Sequence, residues 1–122
     1  MLINLSNHPV SKWSNEQLSA AQTQFGEVVD LPFPTVDPQA DESQVVSLAD
    51  EYADRVSELA GKNQVTVHLM GEMNFTFALA ARLQKRGYPC VASTTERIVQ
   101  ELPNGRKEVK FQFVRFRNYA QL

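Results

Sequence analysis

Residues 65–97, VTVHLMGEMNFTFALAARLQKRGYPCVASTTER, constrain the fold more than any other stretch of the chain. Val65, Thr66, Val67, Leu69 and Met70 make an apolar or β-branched run broken only by His68. The run is too short for a lone helix and suits a central strand of a parallel sheet. Gly71 then permits a tight turn, Asn74 caps a helix predicted to reach Arg86, and Gly87 occupies the helix C′ position. A second strand over 90–93 stops in Thr94, Thr95, Glu96 and Arg97. This is a βαβ unit whose two polar loops share one edge of the sheet, and open α/β sheets bind ligands outside the carboxyl ends of their strands.

The rest of the chain extends the alternation. Residues 2–5 form a short apolar strand interrupted by Asn4, and the polar turn Ser6-Asn7-His8-Pro9 follows. Ser14 opens a capping box with Gln17, and the helix it starts runs to Phe25, with Gly26 as its stop. A second strand covers 28–31. The loop Pro32-Phe33-Pro34-Thr35-Val36-Asp37-Pro38 fits neither helix nor central strand. Asp41 caps the longest helix, which reaches Ala60; Val45, Leu48, Ala49, Tyr52, Val56 and Leu59 keep helical spacing and Gly61 ends it. In the tail, residues 98–102 and 109–116 flank Pro103-Asn104-Gly105 as a β-hairpin. The predicted fold is α/β: a small Rossmann-like, mostly parallel sheet flanked by helices, with a C-terminal antiparallel hairpin.

With 122 residues, of which 43% are hydrophobic, the chain suits one domain, 1–122, with one core. No run approaches the roughly 20 apolar residues of a membrane span, and the N-terminus lacks the pattern of a secretory signal. The single cysteine, Cys90, reads as a small buried hydrophobe and fits a reducing cytoplasm. Charge is lopsided: residues 1–61 hold ten acids against two bases (−8), and residues 62–122 hold ten bases against four acids (+6). That asymmetry suits an anionic ligand or a complementary partner surface. The net charge of −2 argues against duplex nucleic acid.

Three polar loops are expected to converge if strands one, three and four are neighbours: Ser6-Asn7-His8, Gly71-Glu72-Met73-Asn74 and Thr94-Thr95-Glu96-Arg97. No G-x-G-x-x-G or Walker A sequence is present, so neither a nicotinamide cofactor nor P-loop hydrolysis is expected, and no cofactor is called for. Gly71 allows one close backbone approach, and the helix opening near Asn74 offers N–H groups to a phosphate. Glu72 suits the helix dipole. Ser93, Thr94 and Thr95 supply hydroxyls for phosphate or ribose. Arg97 offers a planar cationic fork just after a strand tip. His8, past a strand end, is the candidate proton-transfer group, whereas His68 in mid-strand reads as a core or interface histidine. Trp13 reads as a hydrophobic staple, with base stacking as the alternative. Two histidines and one cysteine lack metal-ligand spacing, so no metal is expected.

The pattern of Gly71-Glu72, a helix, Gly87, Pro89, a strand, then Thr94-Thr95 and Arg97 resembles the small stand-alone CRISPR-associated proteins of type III systems, relatives of the CARF (CRISPR-associated Rossmann-fold) domains. The opening Asn4-Leu5-Ser6-Asn7-His8-Pro9, with Trp13 and Gln17, is similar to the start of the same group. The resemblance spans most of the chain apart from the acidic helix 41–60. It implies a homodimer that binds a cyclic oligoadenylate, cyclic tetra-adenylate in the first instance, through Ser6, Asn7, His8, Gly71, Glu72, Thr94, Thr95 and Arg97. Several relatives cleave that ring; others bind or sequester it. A ring nuclease would need no metal: a ribose 2′-OH attacks the neighbouring phosphorus, Arg97 and the backbone amides near Gly71 and Asn74 stabilise charge, and His8 moves the proton. The alternatives are a non-catalytic binder of the same messenger and a structural or regulatory dimer with another anionic ligand.

Overall fold

The computed structural model describes residues 1–122. Its elements run β1 (Leu2–Ser6), a single 3-10 turn (Val10–Lys12), α1 (Asn15–Phe25), β2 (Val28–Asp30), α2 (Glu42–Ala60), β3 (Thr66–Met70), α3 (Met73–Lys85), β4 (Cys90–Glu101) and β5 (Lys107–Asn118). The five strands form one sheet in the order β2-β1-β3-β4-β5, parallel except for the antiparallel β4–β5 pair. The α/β architecture expected from the sequence is the one observed. No helix is long and apolar enough to cross a membrane.

Chain direction explains which face each helix covers. From β1 the chain steps one way to β2, then crosses back past β1 to β3 and onward to β4. Right-handed crossovers therefore put α1 on one face and α2 and α3 on the other. Ile3, Leu5, Val67, Leu69 and Cys90 point toward α2 and α3, where Ala53, Val56, Phe75, Leu79 and Leu83 complete the larger core. Phe75 is fully buried there, edge-on to Phe33 and Tyr52, so its truncation would cost about 3–5 kcal/mol. Burial pushes the Cys90 thiol up to about 12, which keeps it protonated and inert. On the α1 face a smaller cluster joins Leu2, Ala21, Val91 and Phe116.

Local signals set the helix ends. Asp41 and Gln44 form a reciprocal capping box on α2, and Ser14 accepts from the Gln17 amide at the start of α1. The Gln17 side chain, however, does not close the expected box; it reaches across to Ser93 instead. The ion pairs Asp54–Arg86 and Asp50–Arg82 tie α2 to α3.

The tail departs from the expected boundaries. Residues 94–97 are not a loop: β4 is continuous from Cys90 to Glu101 and pairs with β5 from Val91 to Glu101. Thr94, Thr95 and Arg97 thus sit in a ladder. The reason is β5, which supplies hydrogen-bond partners beyond the point where β3 ends, so polar residues that would close an unpaired strand stay extended. Leu102, Asn104 and Gly105 turn the hairpin, with Gly105 at φ 77°.

Candidate functional site

The strand order reverses between β1 and β3, so the crevice of this open sheet lies beyond their carboxyl ends. Ser6 pairs with Met70 across that seam, and the Asn7 amide donates to the Met70 carbonyl at 3.2 Å. The Ser6-Asn7-His8 and Gly71-Glu72 segments are therefore neighbours. A cleft of about 270 Å³, lined by Asn4, Ser6, Asn7, Asp30 and Phe33 among others, opens beside them.

Two expected ligand contacts are taken by the protein itself. A Cβ on Gly71 would stand 2.2 Å from Cζ of Phe33, so the close approach that glycine permits is filled by that ring. Glu72, not Asn74, is the N-cap of α3, and its carboxylate accepts from the amides of Asn74 and Phe75. Those amides are consequently not open to a phosphate. A carboxylate caps well because it meets both the orphan donors and the positive end of the helix dipole.

A connected network of polar side chains lies on the α1 face. Asn4 and His68 are register partners on adjacent strands, and both are buried, at 2% exposure. Asn4 Nδ2 donates to Asp30 Oδ1 at 2.9 Å and to the His8 carbonyl at 2.8 Å. Both partners are acceptors, which fixes the amide orientation and leaves Oδ1 as an acceptor. His68 Nδ1 lies 2.8 Å from that oxygen and must therefore carry the ring proton. His68 Nε2 is then the acceptor for Ser93 Oγ at 2.7 Å, and Gln17 Nε2 donates to the same Oγ at 2.9 Å. Ser6 Oγ lies 2.8 Å from Asn4 Oδ1 and 3.1 Å from the His8 carbonyl. The Trp13 indole N–H also donates to that carbonyl, at 3.0 Å, and the ring stands edge-on to His68. Burial, and secondarily the charge of nearby His8, lowers the His68 pKa to about 4.

His8 itself is exposed. Its carbonyl is the hub of the turn, and its imidazole makes no hydrogen bond within the chain. Trp13 packs onto the domain as expected, against His68 and Phe116.

Beyond Ser93 the hairpin projects past the carboxyl edge of β3, since Val67 and His68 pair with Cys90 and Val91. Thr94 Oγ1 is bonded to the Arg115 backbone at the register shift between Thr94 and Thr95. Thr95 and Arg97 are exposed on the face that carries Ser93, opposite Phe113 and Phe111. Arg97 stands about 13 Å along the strand from Ser93. The expected convergence of three loops is replaced by two loops and a raised strand pair.

His68, Asn4, Asp30 and Gln17 carry the network, and reading from local sequence missed them. The available signal was one polar residue inside each of two apolar strands, Asn4 and His68. No curated protein and no solved structure matches the chain. A family model does match, over residues 1–117, and by that match the chain belongs to the uncharacterized protein MJ1673 family.

Proposed function

We propose that the protein binds a cyclic oligoadenylate, cyclic tetra-adenylate in the first instance, and cleaves it as a metal-independent ring nuclease in type III CRISPR antiviral signalling, acting in the cytoplasm as a homodimer. What supports the reading is an exposed His8 beyond β1 and an Arg97-bearing hairpin that rises past the same edge of the sheet. Six bases against three acids on residues 90–118 make that hairpin attractive to a phosphate ring. A two-fold dimer would offer two equivalent sets of groups to a symmetric ligand. The hairpin also supplies an interface: Val99, Val109 and Phe111 are 47%, 43% and 69% exposed on one face and extend the apolar stripe of Phe113 and Phe116.

In this reading a ribose 2′-OH attacks the adjacent phosphorus, the 5′-oxygen leaves, and a 2′,3′-cyclic phosphate remains. Arg97 stabilises the phosphoryl charge and His8 accepts or donates the proton. A non-catalytic messenger-binding role is favoured by one observation: Glu72 already occupies the amides of Asn74 and Phe75, which removes expected donors to the transition state.

The test is incubation of purified protein with labelled cyclic tetra-adenylate in EDTA. Linear fragments ending in a 2′,3′-cyclic phosphate support the nuclease, and intact ring retained by the protein supports the binder. Ring that is neither cut nor retained overturns both. Light scattering tests the dimer: a mass of twice 13.8 kDa is expected, returning to 13.8 kDa in Phe111→Lys.

A further inference from the structure

Ser93, His68 and Asn4 have the arrangement of an activated hydroxyl, its base and the group that orients the base. The base's Nε2 lone pair faces the hydroxyl at 2.7 Å, and its other nitrogen is held as N–H by an amide oxygen at 2.8 Å. This is the relation that nucleophilic catalysis requires. An asparagine serves as well as a carboxylate for fixing the tautomer, because only its oxygen is available to the ring. Gln17 Nε2 donates to the same Oγ and would stabilise negative charge developing there. Ser93 is partly exposed while His68 is buried, so the oxygen is reachable and the base is not. The ring is neutral above about pH 5, which keeps the accepting lone pair free. A purely structural role for His68 would not require a directional chain ending on a partly exposed hydroxyl.

We propose that Ser93 is a nucleophile toward electrophilic phosphorus, with His68 as its general base and Asn4 as the residue that positions His68. The substrate class is a phosphate ester, in keeping with Thr95 and Arg97 on the same exposed face. The Ser93 Oγ–P bond forms as the P–O bond to the leaving group breaks. The hydroxyl proton passes to His68 Nε2 and then to the departing oxygen. Water, deprotonated by His68, next cleaves the phosphoseryl bond and restores Ser93. This chemistry differs from the messenger reading, in which the nucleophile is the ligand's own 2′-OH, and it does not rest on that reading.

The probe is diisopropyl fluorophosphate, which needs no cyclic nucleotide. Its P–F bond breaks as Oγ–P forms; fluoride leaves and the proton goes through His68 to buffer. Peptide mass spectrometry of the native protein should find the phosphoryl adduct on Ser93, formed at least about 10²-fold faster than on Ser14 or Ser43 of the same chain. His68→Gln should return the Ser93 rate to theirs, and Gln17→Leu should slow it several-fold. Labelling of Ser93 no faster than of the other serines, or undiminished in folded His68→Gln, overturns the proposal. Should His68→Gln fail to fold, the pH profile of the native protein decides. Ser93 labelling that stays level through neutral pH and falls only on the acid side, as a histidine base requires, supports the assignment. A Ser93 rate that climbs in proportion to hydroxide, as for Ser14, overturns it.

Discussion

His68 Nδ1 lies 2.8 Å from Oδ1 of Asn4, its register partner on the neighbouring strand, and that one contact decides the chemistry of the ring. Asn4 spends both amide hydrogens on Asp30 and the His8 carbonyl, so the imidazole must donate through Nδ1 and accept through Nε2.

His68 should consequently appear as the Nδ1–H tautomer in long-range ¹⁵N–¹H spectra and stay neutral until the pH nears 4. The unfolded ring titrates near 6.5, so between about 6.5 and 4 the unfolded chain binds more protons. Stability is full above 6.5 and is lost as pH falls through that window. The full loss is on the order of 3 kcal/mol. Urea titrations at pH 7 and 4.5 should show a larger drop for wild type than for His68→Gln; equal drops would disprove the assignment. The neighbouring groups that titrate or carry charge are His8 and, through Asn4, Asp30.

His8→Ala offers a clean test of proton transfer, because the turn is held by the His8 carbonyl, which the substitution keeps. Melting temperature should barely move. If the imidazole moves the proton in messenger cleavage, the rate should fall about 10²–10⁴-fold with affinity nearly unchanged. Full-rate cleavage by the variant removes His8 from the chemistry.

Glu72→Ala should lower stability by about 0.5–2 kcal/mol, the usual cost of losing an N-cap. Its carboxylate meets the amides of Asn74 and Phe75, so messenger affinity should hold or rise as those donors are freed. A fall in affinity of tenfold or more, measured by calorimetry, would instead give Glu72 a direct ligand contact.

Gly71→Ala should destabilise by about 1–3 kcal/mol, since its Cβ would meet the Phe33 ring at 2.2 Å. Phe33→Ala also costs stability, through the lost edge-on contact with Phe75. The double variant should lose clearly less than the two losses combined. Additive losses would mean that the ring and the glycine do not compete for space.

The sequence by itself determined the alternation of strands and helices, because its signals are local. Asp41 with Gln44, Ser14, Gly26 and Gly61 mark helix ends through bonds made within a few residues. Asn104-Gly105 likewise turns the hairpin within its own span. What only the tertiary structure decided are relations between distant segments. The partner strand β5 keeps residues 94–97 extended; the Pro-rich loop brings Phe33 onto Gly71; β1–β3 register sets Asn4 beside His68; and α1 carries Gln17 to Ser93. A lone histidine in an apolar strand looks the same in sequence whether it fills space or accepts a proton. Its hydrogen-bond partners lie 64 and 25 residues away along the chain. Only the packed sheet brings them to it.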